Sequence, residues 1–295
     1  MAEAGRAEGP TTPSGLGPEL ARLIDRVAAR SASVGRAPRP SAASLHGLHR
    51  DLRRLHLGFS MLKNLASTTD RARLDSLDRR VRRLAQLVGQ VRDRDVAVEI
   101  LQGVEHVARP GPERERLDRY RGRLRDDAHI GRELLRARLR SETDARLFEE
   151  LRSALGGRPA RLSSTGVRRL LDEHQGRLHR KLVAAHRKAR RRPSMDRLHR
   201  LRIRVRRFRQ LIDLAATVDP PAGRPVAGAL RRLQQELGHL HDLDVLLAGL
   251  EPSLRKSRWA EQLGAERRAV RRSVVDALEM VRPRRLLPSP PDRTG

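Results

Sequence analysis

Two segments about 150 residues apart spell nearly the same helix, and a chain that repeats itself at such a distance is constrained to fold as two similar units. Leu45 to Met61 reads LHGLHRDLRRLHLGFSM and Leu198 to Leu214 reads LHRLRIRVRRFRQLIDL, each after a proline-containing break. Their shared skeleton is L-H-x-L-[HR]-x-x-[LV]-R-R-[LF]. A second pair follows in the same order: RRLAQLVGQVRDRDVAVEIL from Arg82 to Leu101 and RRLQQELGHLHDLDVLLAGL from Arg231 to Leu250. Here the common pattern is R-R-L-x-Q-x-[LV]-G-x-[LV]-[RH]-D-x-D-V. Two related helical halves, joined near Gly156 to Pro159, are predicted.

Apolar residues recur three and four positions apart with arginines between them, and alternating Val/Ile/Thr/aromatic runs are missing, so the fold class is all-α. Breakers divide the helices at Pro38 and Pro40, Ala108 to Gly111, Gly156-Gly157 with Pro159, Pro193, and Pro220 to Pro225. The organisation expected is a disordered tail over 1–15, a first half over 16–155, a second half over 160–282 and a Pro-rich disordered tail over 283–295. On a helical wheel His46, Arg50 and Arg53 share one face, with His49 on its flank, while Leu48, Leu52, Leu55, Phe59 and Leu62 line the opposite one. In the second copy His199, Arg202 and Arg206 share the polar face, flanked by Arg209, and Leu201, Val205, Phe208 and Ile212 form the apolar one. Each helix is anchored by one stripe and presents the other.

What the polar stripe presents is positive charge. The chain carries 64 Lys and Arg against 36 Asp and Glu, a net +28, and only Lys63, Lys181, Lys188 and Lys256 are lysines. Guanidinium is the group whose fork matches phosphate in a bidentate way, and so large a surplus points to a polyanionic partner. The densest stretch, Arg177 to Arg209, includes Lys181 and holds fifteen Lys or Arg against the single acid Asp196. Arginines at i,i+4 repel one another unless a linear anion lies across them. There is no cysteine, which excludes disulfides, zinc ribbons, iron–sulfur clusters and a thiol nucleophile. With no secretory apolar segment and no long apolar run, the chain reads as cytoplasmic, without a membrane span.

The duplicated motifs resemble the CHAD domain, the conserved histidine α-helical domain, whose halves each carry an H-x-x-R-x-x-x-R-R helix followed by an L-G-x-x-R-D-x-D-V helix. His199, Arg202, Arg206 and Arg207 match the second-half motif in full, and Gly238, Asp242, Asp244 and Val245 match its companion. The first half matches at His46, Arg53, Arg54, Gly89, Arg92, Asp93, Asp95 and Val96. His49 stands where the family has arginine, and His241 stands where Arg92 stands in the first half. The resemblance implies two four-helix bundles related by a pseudo-twofold, with a basic surface and central cavity that bind inorganic polyphosphate. It implies a stand-alone protein, because the E-x-E-x-K strand of the associated CYTH triphosphatase is missing; the nearest string, Glu113 and Glu115, runs into Leu117 in a helical segment. The residues expected to bind polyphosphate are His46, His49, Arg50, Arg53, Arg54, Arg92, Lys181, His199, Arg202, Arg206, Arg207 and Arg209.

Asp93, Asp95, Asp242 and Asp244 admit two readings. They could hold Mg²⁺ or Ca²⁺, or pair with arginines of the preceding helix and orient them. Residues two apart on a helix point about 200° apart, so the two aspartates of one motif cannot converge on a metal within that helix, which favours orientation. A metal held by His46 and His49, or by His174, His179 and His186, is opposed by the cationic surroundings; hydrogen bonding of His46 and His199 to a phosphate oxygen or to a facing helix suits them better. No lysine follows a glycine, so a P-loop is excluded. Glu149-Glu150 and Asp126-Asp127 are adjacent pairs that face different ways and make no acid/base pair. Non-catalytic binding without cofactor or metal is therefore expected, with targeting to polyphosphate granules as its use. The rivals are nonspecific nucleic-acid binding, opposed by an aromatic content of 2% that leaves few stacking platforms, and a scaffold that attaches to an acidic protein.

Overall fold

Four serines start helices: Ser41, Ser67, Ser163 and Ser257 each accept a hydrogen bond from the backbone N–H three residues on, at 3.1, 3.2, 3.2 and 3.3 Å. Such a cap satisfies one of the donors a helix start leaves unpaired. The structure, a computed structural model, describes residues 15–64, 66–156, 163–218 and 228–283. Among these residues the chain is all-α, with nine helices and no strand. They are α1 (Leu16–Arg36), α2 (Ala42–Leu62), α3 (Thr68–Gly103), α4 (Pro112–Leu139), α5 (Glu142–Leu155), α6 (Ser164–Arg191), α7 (Met195–Val218), α8 (Gly228–Ala248) and α9 (Arg258–Met280), with a 3₁₀ turn at Glu105–Val107.

The breaks at Pro38 and Pro40, Ala108 to Gly111, Gly156 and Pro193 fall between helices as expected. Pro220 to Pro225, Gly157 and Pro159 lie outside the described residues, as do both tails apart from Gly15 and Pro283. Three further breaks carry weaker signals: Lys63 to Ser67, Arg140 and Ser141, and Gly249 to Ser257. The second of these separates α5 from α4, so among the described residues five helices precede Gly156 and four follow it.

Burial follows the wheel. Leu48, Leu52, Leu55, Phe59 and Leu62 are fully buried, and Leu201, Val205, Phe208 and Ile212 nearly so, each worth about 1.5–3 kcal/mol of apolar transfer. Gly58 lets α1 close on α2, since a Cβ there would collide with Leu20. One apolar core joins α1, α2, α3, the end of α4 and α5 with the start of α6 and the end of α7. A second fills the space among α6, α7, α8 and α9. A third, around Trp259, packs the end of α3 and the start of α4 against the end of α8 and the start of α9. Helix α2 also packs on α7, and α3 on α8. The two pairs of motif helices are thereby fixed against one another. No helix among the described residues is long and apolar enough to cross a membrane.

Candidate anion-binding site

With their leucine stripes turned into the cores, α2 and α7 have their polar stripes left over, and the packing of α2 on α7 and of α3 on α8 turns these toward one space. A concavity of about 340 Å³ opens there. Helix α2 supplies His46, His49, Arg50, Arg53 and Arg54; α3 supplies Arg92; α7 supplies Arg202, Arg206, Arg209, Gln210 and Asp213; α8 supplies Gln234, Gly238 and Asp242. Seven arginines thus meet two carboxylates.

The imbalance shows in the electrostatics. Burial, then Arg53, Arg202, Arg207 and Arg92, pull the Arg206 guanidinium down to about 9. Burial, then Arg202 and Arg92, lower Arg53 to about 10 against the opposing pull of Asp93. Arg202 is lowered chiefly by burial, with Asp242 and Asp93 opposing and Arg92 adding to it. Among the described residues none of these three arginines forms an ion pair. Arg54 meets Asp213 at 3.4 Å, bridging α2 and α7. The buried Nε atoms of Arg54 and Arg209 have no hydrogen-bond partner among the described residues. The walls are rich in donors that lack acceptors, and an unpaired buried donor is costly. An anion with many oxygens is the chemical complement, because guanidinium donates five N–H groups and accepts none.

Three histidines, His46, His49 and His241, are held neutral at pH 7. His49 is only 7% exposed; burial first, then Arg53, Arg92, Arg206 and His46, bring it to about 3. Its ring lies against α3 where Gly89 makes room: a Cβ on Gly89 would come within 3.3 Å of His49 Nε2. His46 is lowered by burial and by Arg92, Arg50 and Arg53. His241, its ring centroid 5.2 Å from that of exposed His199, is brought to about 4 by burial, Arg202, His199 and Arg206.

Nine of the twelve residues expected to bind anion line the concavity: His46, His49, Arg50, Arg53, Arg54, Arg92, Arg202, Arg206 and Arg209. His199 stands beside it against His241. Arg207 lies on α7 outside the concavity, its guanidinium lowered by partial burial and then by Arg204 and Arg82. Lys181 lies elsewhere, in a separate groove between α6 and α7. The aspartates divide by position. Asp242 lines the concavity, its carboxyl raised by burial and by Asp93 against the pull of Arg92 and Arg202, and Asp93 lies 3.7 Å from Arg92. The second aspartate of each motif corrects the expectation of pairing with the preceding helix. Asp95 accepts from Arg132 on α4, and Asp244 from Arg267 on α9 at 2.5 Å, so each ties its own helix to the one that follows. The turn of about 200° between the two aspartates of a motif is the reason: in the second motif Asp242 faces the concavity and Asp244 faces away toward α9. Sequence reasoning missed Gln210, Asp213 and Gln234. Helical continuation would have found them, since Gln210 and Asp213 extend the Arg202–Arg206 stripe and Gln234 stands four residues before Gly238.

The CHAD domain family model matches residues 18–251. No curated protein matches the sequence. Among solved structures, the crystal structure of the CHAD domain from the plant Ricinus communis is similar with a TM-score of 0.61 at 17% identity, covering 96% of this chain and 98% of that one. PptA from Streptomyces chartreusis is similar with a TM-score of 0.62 at 16% identity, covering 91% of this chain and 98% of that one. At such identities the likeness concerns the fold.

Proposed function

Because the chain belongs to the CHAD domain family, we propose that it binds inorganic polyphosphate, without catalysis, in the concavity between α2, α3, α7 and α8. The observation that carries this reading is the convergence of seven arginines from three helices on one space holding two carboxylates. A flexible chain of phosphates brings one or more anionic oxygens per unit and can follow the ridges of Arg50 and Arg53 and of Arg202 and Arg206. Bound anion removes the mutual repulsion of these groups and gives their N–H donors acceptors. Long-chain polyphosphate is the proposed partner, and its granules in the cytoplasm are where such a protein would accumulate.

Nonspecific nucleic-acid binding is the competing reading, since any chain of this charge attracts DNA and RNA in dilute salt. Phe59, Tyr120, Phe148, Phe208 and Trp259 are all buried, so bases find no exposed Phe, Tyr or Trp ring to stack on. An acidic protein held by the same face is the scaffold reading. Competition of fluorescent long-chain polyphosphate by duplex DNA, RNA, an acidic polypeptide and short phosphates, at about 150 mM salt where loose electrostatic binding is weakened, separates these. Polyphosphate is expected to outcompete DNA per phosphate. Equal competition refutes the selective reading.

A further inference from the structure

A second cationic groove, of about 450 Å³, runs between α6 and α7 and shares no lining residue with the concavity. Its floor is Ala184 and Ala185, and its walls carry Lys181, Lys188, Arg197, Arg200 and Arg204. On α6 the spacing of Lys181, Ala184, Ala185 and Lys188 is that of one helix face, so two of the four lysines in the chain flank a trough left by two small side chains. Arg197 is held by the backbone oxygens of Lys188 and Arg192 at 3.3 and 3.4 Å, and Arg200 is paired with Asp196 at 2.7 Å. Lys181, Lys188 and Arg204 form no ion pair among the described residues. Three free cations over a methyl floor therefore face a space that no part of the described chain fills.

We propose that this groove is a second polyphosphate subsite, and that Arg207 links it to the concavity so that one long chain occupies both by wrapping around α7. The inference rests on the polyphosphate reading above and extends it to chain length. Arg204 lies two residues from both Arg202 and Arg206, which places it on roughly the opposite side of the helix. Arg207 falls between: it is close enough to Arg206 to disfavour that cation and is itself disfavoured by Arg204. A helix with its side chains is about 10–12 Å across, so half its circumference is about 15–20 Å. Tripolyphosphate is too short to follow that arc and fills one subsite; a long chain fills both, and the second contact gains from the high effective concentration created by the first.

The test is Lys181→Gln/Lys188→Gln/Arg204→Gln, three exposed or half-exposed positions outside the concavity, beside a charge-matched control, Arg116→Gln/Lys256→Gln/Arg268→Gln, with helicity of both checked by circular dichroism. Affinities for tripolyphosphate and for long-chain polyphosphate are measured on the full chain at about 150 mM salt. The groove variant is expected to keep the tripolyphosphate affinity of the concavity and to lose roughly tenfold or more in affinity for the long chain, beyond any loss in the control. Unchanged long-chain affinity, a loss no larger than the control's, or an equal loss for both chain lengths overturns the subsite. A wild-type protein that binds neither chain overturns the functional reading itself, which is a different result from any of these.

Discussion

Arg206→Gln is expected to make the free protein more stable and its complex with polyphosphate weaker. The folded protein holds the Arg206 guanidinium at about 9 through burial and the neighbouring Arg53, Arg202, Arg207 and Arg92, more than three below the ordinary arginine value. At about 1.4 kcal/mol per pKa unit that corresponds to a cost of order 4 kcal/mol for keeping the charge in the folded state. The sign is fixed by where the two states titrate. Below about 9 the group is charged in both folded and unfolded chains, so the full cost is present at pH 7; it is relieved only as the pH rises through that value, where the unfolded chain binds more protons. Glutamine removes the charge but also loses part of the aliphatic stem, and Arg206 is partly exposed to screening water, so a net gain of about 1–2 kcal/mol is expected. For a chain of this size each kcal/mol moves the melting temperature by about 2 °C. Thermal unfolding followed by Trp259 fluorescence at pH 7, with and without polyphosphate, reads both effects: a rise of a few degrees in the free variant and a smaller polyphosphate-induced rise than in wild type. A variant that melts lower than wild type while keeping the full polyphosphate-induced rise refutes the reasoning, because it would make Arg206 an ordinary stabilising contact.

The histidines give a pH dependence of known sign. His49 and His241 titrate at about 3 and 4 when folded, below the unfolded-state value, so the unfolded chain binds more protons between about 6.5 and those values and stability falls as the pH drops through that window. Bound anion favours their charged forms, so the polyphosphate-induced rise in melting temperature should grow from pH 7 to 5 with proton uptake measurable by calorimetry in buffers of different ionisation enthalpy; His49→Gln should flatten the acid loss, and a flat wild-type profile contradicts this. The two motif glycines should respond oppositely to alanine. Gly238→Ala meets open space and gains helix propensity, up to about 1 kcal/mol, while narrowing the concavity and weakening binding; Gly89→Ala presses on buried His49 and should melt below Gly238→Ala, with equal melting temperatures refuting the contact. Asp95→Asn and Asp244→Asn, which weaken ties to α4 and α9, should each cost about 1–2 kcal/mol of stability by denaturant unfolding with little change in polyphosphate affinity; a loss of affinity like that of Arg206→Gln would place them at the site.

Most of the fold was legible because helical period and burial are the same information. The stripes Leu48 to Leu62 and Leu201 to Ile212 are apolar at spacings that only a buried helix face needs, and both are buried. The helix boundaries without proline were not legible: Lys63 to Ser67 and Arg140 with Ser141 interrupt no pattern, and a serine cap is a short-range signal that many solvent-facing serines imitate. The concavity was legible in its arginines, since a repeated polar stripe opposite a repeated apolar one must face something common to both halves. Lys181 lies in the other groove, a placement the sequence did not show, because density of charge along the chain says nothing about which side of a helix a residue occupies. The partners of Asp95 and Asp244 were not legible either, since Arg132 and Arg267 lie 37 and 23 residues away in helices whose many arginines are interchangeable by pattern alone.

The exchange of histidine and arginine between the two halves has a physical reason in the concavity. At the repeated positions, His49 corresponds to Arg202 and His241 to Arg92, so each half keeps one guanidinium and gives up the other. An arginine at 49 would sit where the side chain is 7% exposed and pressed toward Gly89, a buried cation with Arg53, Arg92 and Arg206 already acting on it. An unpaired buried charge costs several kcal/mol, on top of what Arg53 and Arg206 already impose. Neutral imidazole fills the same position with a ring nitrogen still able to form hydrogen bonds, and it carries charge only when an anion arrives to favour it. The two arginines that remain come one from each half, and Arg92 and Arg202 both act on Asp242 while Asp93 and Asp242 both act on Arg202. Asp93 and Asp242 thus offset part of the charge of the free site, as Asp213 does at Arg54, and the rest is left for the ligand.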